Sequence, residues 1–113
     1  MEIELINQHK MLVVKITGEI DHHISNELRT QIDRTLMRSG AINVAFDFSK
    51  VTFMDSSGIG VIMGRYKIVK PLGGHIIIFG MNSSVERLLE MANLKSIAYI
   101  AHKIEDVIEE VQA

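Results

Sequence analysis

The chain contains no cysteine, which excludes disulfides, thiolate metal ligands and cysteine nucleophiles. Proline occurs once, and no stretch is low in complexity, so nothing marks a linker or a disordered tail. Basic clusters longer than two residues are missing, and with them the electrostatic footprint of nucleic-acid binding. Uninterrupted apolar runs fall far short of the ~20 residues that a membrane-spanning helix needs. The opening MEIELINQHK is acidic and alternating, unlike a secretory or transit signal. The expectation is a cytoplasmic protein with no membrane span, no direct nucleic-acid contact, no metal and no cofactor.

What remains is an ordinary globular composition: 113 residues, 47% hydrophobic and 23% charged, with a net charge of −2. That suits a single domain over residues 1–113 with a real core and no internal repeat. EIELIN and MLVVKITG are short and rich in apolar and β-branched residues, and predict a hairpin turning at Asn7 to Lys10. Leu28, Ile32 and Leu36 recur four apart and predict a helix, with Ser25 as N-cap, Glu27 in its first turn and Gly40 as its stop. INVAFDF alternates as a strand, and a helix from about Gly58 to Lys70 follows, closed by Pro71 and Gly73–Gly74. HIIIFG predicts a buried strand. Ser83 and Glu86 have capping-box spacing before a helix with Val85, Leu88, Leu89 and Ala92 inward. IAYIA then predicts a strand, and Ile104, Val107, Ile108 and Val111 predict a last helix. The order ββαβαβαβα predicts an α/β fold with about four helices and a mostly parallel sheet bearing an antiparallel hairpin at its edge. The seven methionines are expected to fill the core.

The chemistry concentrates at MDSSGIG, residues 54–60, between a strand and a helix. A serine hydrolase would need a G-x-S-x-G elbow, but Asp55 stands two before Ser57. His22 and His23 beside Asp21 lack a partner at metal-ligand spacing and predict solvated rings. Gly58, Gly60 and Gly64 open a helix after a strand, the right context for a phosphate on backbone N–H groups. Their spacing is not G-x-G-x-x-G, however, and no P-loop lysine follows. A response-regulator receiver would gather acids at an early strand end, where this chain predicts a hairpin. A modified serine is the third reading: phosphate at a helix N-terminus is electrostatically tolerated. Against it stands the plain reading of Ser57 as an N-cap and Ser56 as a turn residue. At 100° per residue, Ile59, Ile62, Met63, Tyr66 and Val69 gather inward, whereas Ser57, Val61, Gly64 and Ile68 form a second, small and apolar stripe. That stripe fits either a neighbouring helix or a partner surface.

Taken together, GEIDHHISNELRTQI, FDFSKVTFMDSSGIGVIMGRY and GGHIIIFGMNSSVERLLEMANL resemble the anti-anti-sigma factors of the STAS fold, over essentially all of residues 2 to 112. The resemblance implies a binding switch rather than an enzyme, with no catalytic residue. The unphosphorylated protein would bind an anti-sigma factor that is a serine kinase, freeing a sporulation sigma factor. Phosphorylation of the motif's second serine, Ser57, would end that binding, and a PP2C-type serine phosphatase would reverse it. The partner surface would include Asp21, Asp55, Ser56, Ser57 and Gly58, with Val61, Gly64 and Ile68 from the outer stripe. The setting would be the forespore or mother-cell cytosol of a sporulating bacterium. The alternative is a small nucleotide-binding α/β protein using the glycine-rich turn at 58–64.

Overall fold

Five β-branched or apolar segments, each too short to bury itself alone, pair into one sheet in the computed structural model, which describes residues 1–111. Residues 112 and 113, the end of the expected domain, lie outside the described residues. The strands are β1 (Glu2–Ile6), β2 (Met11–Ile20), β3 (Asn43–Met54), β4 (Ile76–Phe79) and β5 (Ala98–Ala101). Their spatial order is β1-β2-β3-β4-β5; β1 is antiparallel to β2 and every other neighbouring pair is parallel. The helices α1 (His22–Ser39), α2 (Ser56–Val69) and α3 (Ser83–Met91) are the three crossovers. The expected α/β fold with its antiparallel hairpin is present.

Strand order sets the layers. Because the sheet is built in one direction without reversal, crossovers of one hand must put every helix on the same face. The packing agrees: Leu12, Val14, Val44, Phe46, Ile76 and Ile78 meet Leu28, Ile32, Ile62, Val69, Val85 and Leu89 in one core. On the opposite face, Met11, Val13, Ala45 and Ile77 are covered by Val111, with Ile104, Val107 and Ile108 against them. This cover is not the expected final helix. Residues Ile104–Asp106 and Ile108–Glu110 form two short 3₁₀ turns. Laid flat on a sheet face, such a tail needs its apolar groups on one side but no continuous helical ladder.

Other boundaries shift for local reasons. Asp21, not Ser25, caps α1; Ser25 is buried a turn further on, its hydroxyl donating to the His22 carbonyl. Glu27 therefore lies beyond the first turn. Gly40 ends α1 in the left-handed region, φ 71°, where a side chain would be strained. Asn82 caps α3 through the Val85 N–H, displacing the expected Ser83–Glu86 box, and Ala92 is exposed. Only Met11, Met54 and Met81 are buried methionines; Met37 and Met91 stand almost free in solvent.

Candidate functional site

Two parallel strands end level with each other, since Ile20 of β2 pairs with Met54 of β3 after two register shifts along the ladder. The next residue of each chain segment is an aspartate, and each aspartate caps the following helix. Asp21 accepts from the N–H groups of His23 (3.0 Å) and Ile24 (3.3 Å). Asp55 accepts from the Ser57 N–H at 2.8 Å, and its own N–H donates to the Ile20 carbonyl at 3.1 Å. Asp21, Asp55, Ser56 and Ser57 therefore share one corner at the carboxyl ends of β2 and β3.

The Ser57 hydroxyl also donates to Oδ1 of Asp55. This hydroxyl, followed by the Ser57 N–H, holds the Asp55 carboxyl below its usual range; slight desolvation opposes them, and the imidazole and backbone of His22 add to the lowering. Asp55 thus accepts from the hydroxyl and fixes its direction. Ser56, one residue earlier, is exposed, and among the described residues its hydroxyl has no partner. Ser57 is neither the N-cap nor a mere turn residue: it is the second helical residue, held by the cap.

The glycines divide by role. A Cβ at Gly58 would overlap the Met54 side chain and approach Ile20 Cγ2 to 3.2 Å, so Gly58 seats α2 on the strand ends. It is buried, which corrects its expected part in a partner surface. Gly60 is exposed beneath Arg29, and a Cβ at Gly64 would meet nothing. Val61 is a second correction. It is 2% exposed and belongs to the helix-side core, whereas Ile68 and Met63 are 38% and 43% exposed. Met63, expected inward, thus lies outward. The reason is that α2 is apolar nearly all round, so its periodicity does not pick a face. The outer surface presents Ser56, Gly60, Met63 and Lys67, flanked by Gly64 and Ile68.

Arg65 was not singled out by the sequence pattern. It is buried on α2 with Nε 2.9 Å from Oδ1 of Asp33 on α1, an ion pair by distance without hydrogen-bond alignment. Burial lowers the Arg65 pKa, Asp33 opposes that, and Arg29 adds to it. The pair ties α1 to α2 behind the two capped ends. A lone arginine among apolar neighbours was the available signal. His22 and His23 are exposed, with ring centroids 4.0 Å apart.

This corner does not resemble a nucleotide cradle. Nucleotide crevices in open α/β sheets form where strand order reverses and successive helices leave on opposite faces. The present order has no reversal, and the α2 N-terminus is already occupied by a carboxylate.

The STAS domain family profile matches residues 2–111. An anti-sigma F factor antagonist from Paenibacillus polymyxa is 38% identical over 94 residues, spanning 83% of this chain and 80% of the relative. The anti-sigma-B factor antagonist of Staphylococcus aureus is 27% identical over 88% of this chain and 92% of its own length. Among solved structures, the Bacillus cell-fate determinant SpoIIAA in its phosphorylated form superposes with a TM-score of 0.75 at 22% identity, covering 98% of each chain. The chain belongs to the STAS domain family, among the anti-sigma factor antagonists. No helix among the described residues is long and apolar enough to cross a membrane.

Proposed function

We propose that this anti-sigma factor antagonist works by partner switching controlled at Ser57. The unphosphorylated form binds an anti-sigma factor that is also a serine kinase, and thereby frees a sporulation sigma factor in the cytosol. The kinase transfers phosphate to Ser57 and the complex parts; a PP2C-type phosphatase restores the binding form. The domain is the substrate of both enzymes and itself catalyses nothing.

The observation that carries this reading is the Asp55–Ser57 pairing beside Asp21. In-line phosphoryl transfer requires a hydroxyl presented in a fixed direction. Ser57 alone of the two adjacent serines is so held. The surface left to a partner is Asp21, Asp55, Ser56 and Ser57 with the outer face of α2, where Gly60 and Gly64 permit close approach and Ile68 supplies apolar contact. Incubation with the cognate kinase and ATP, followed by peptide mass spectrometry, tests it: one phosphate on Ser57 supports the reading, and none, or one elsewhere, refutes it.

A further inference from the structure

One stripe of α1 faces the seam with α2. At about 100° per residue, His22, Asn26, Arg29 and Asp33 fall on the same side of α1. Three of the four act on α2 or its cap. Asp33 pairs with Arg65, and the His22 imidazole acts electrostatically on Asp55. Between them Arg29 crosses the seam, its Nη2 3.9 Å from where a Cβ on Gly60 would stand. Counted around α2 in the same way, Ser57 falls between Gly60 and Arg65, so it lies on the side that α1 touches. Residues three apart on a helix have Cβ atoms about 5–6 Å from each other. The Arg29 guanidinium therefore stands beside α2 one turn from Ser57.

That guanidinium is aimed but not neutralised. Among the described residues Arg29 forms no ion pair, because the acid four residues on, Asp33, is engaged by Arg65. Instead Nη1 donates to the neutral Oδ1 of Asn26 at 2.6 Å. Asn26 lies one turn nearer the start of α1, so the bond directs Arg29 towards the corner where both helices begin. An arginine has five N–H donors in a rigid fork, and most of these are left unused.

Building on the proposed role of Ser57 as phosphoacceptor, we propose that Arg29 is the residue that holds the phosphate once it is there. Its guanidinium leaves Asn26 and donates to the phosphoserine oxygens, which stand two bonds beyond the serine oxygen; the contact is charge-assisted and suits the fork. The groups facing the dianion are then Asp21 and Asp55, which repel it, and His22 and Arg29, which attract it. Arg29 is a positioning residue: it offsets the two carboxylates and keeps the phosphate over the α1–α2 seam.

Phosphoserine installed at position 57 during translation allows a test that needs no kinase. The ³¹P resonance of the full chain is followed against pH in the parent and in Arg29→Gln, Arg29→Lys and Arg38→Gln. Arg38 is an exposed cation at the far end of α1. Asp21, Asp55 and His22 are common to all four chains, so differences report the substituted cation. Arg29→Gln should raise the second pKa of the phosphate, ordinarily about 6, by about 0.5. Arg29→Lys, which keeps the charge, should stay near the parent, and Arg38→Gln should match it. The proposal is overturned if Arg29→Gln titrates with the parent, or if Arg38→Gln shifts the pKa as much as Arg29→Gln does. Failure of the cognate kinase to label Ser57 is a separate result, which refutes the phosphoacceptor role itself.

Discussion

Asp55 accepts two hydrogen bonds from Ser57, one from its backbone N–H and one from its hydroxyl. The carboxylate thus caps a helix and aims a side chain at once. Because the same interaction keeps Asp55 ionised, its effect on stability has a definite sign. The folded pKa lies below the unfolded value, so the stabilisation is fully present above the unfolded pKa, about 3.9, and is lost as pH falls through the folded pKa. Asp55→Asn keeps an acceptor but cannot titrate. Melting followed by circular dichroism should show the parent losing its advantage over Asp55→Asn below about pH 4, while the two run parallel from pH 5 to 8. A constant difference at all pH values would contradict this.

The hydroxyl geometry separates the two serines. Ser57→Ala should accept no phosphate from the kinase and should remain bound to it, whereas Ser56→Ala should be phosphorylated near the parent rate. Radiolabel incorporation measures both. Substantial labelling of Ser57→Ala would place the acceptor elsewhere.

Burial makes opposite predictions for two residues of the expected outer stripe. Val61→Lys puts a charge into the helix-side core and should destabilise the domain by more than about 3 kcal/mol in urea titration. Ile68 is partly exposed, so Ile68→Lys should melt close to the parent yet weaken kinase binding by more than about 1 kcal/mol. Unchanged binding for Ile68→Lys would remove it from the partner surface.

These residues also show what was legible in the sequence. Strands appeared because β-branched runs between turns have few other uses, and the one-way βα alternation implied the parallel sheet. The corner at Asp21 and Ser57 was legible only through the family resemblance that the two motifs carry together. The facing of α2 was not, since valine, isoleucine and methionine surround it and only the buried Arg65–Asp33 pair reveals its rotation. The start of α1 was misplaced because Ser25 has the chemistry of a cap, while the true cap, Asp21, precedes three residues of weak helix propensity, His22, His23 and Ile24. The tail failed differently: Ile104, Val107, Ile108 and Val111 carry helical spacing, yet the sheet face they cover accepts short turns equally well.

Phosphate at Ser57 should leave the fold nearly unchanged. A dianion near the start of a helix gains about 0.3–1 kcal/mol from the dipole, and the neighbouring Asp55 and Asp21 oppose it. Amide shifts on phosphorylation should stay near Asp21, Asp55 and the first turn of α2. Shifts reaching residues 104–111, on the opposite face of the sheet, would instead mean a conformational switch.

The central claim is that this local charge excludes the partner. Desolvating a phosphate dianion beside two carboxylates costs several kcal/mol at an interface. Isothermal titration of the cognate kinase against the two forms measures it directly. The account predicts that phosphorylation at Ser57 weakens binding by at least about 100-fold, roughly 2.7 kcal/mol; equal affinity of the phosphorylated and unphosphorylated forms would contradict it.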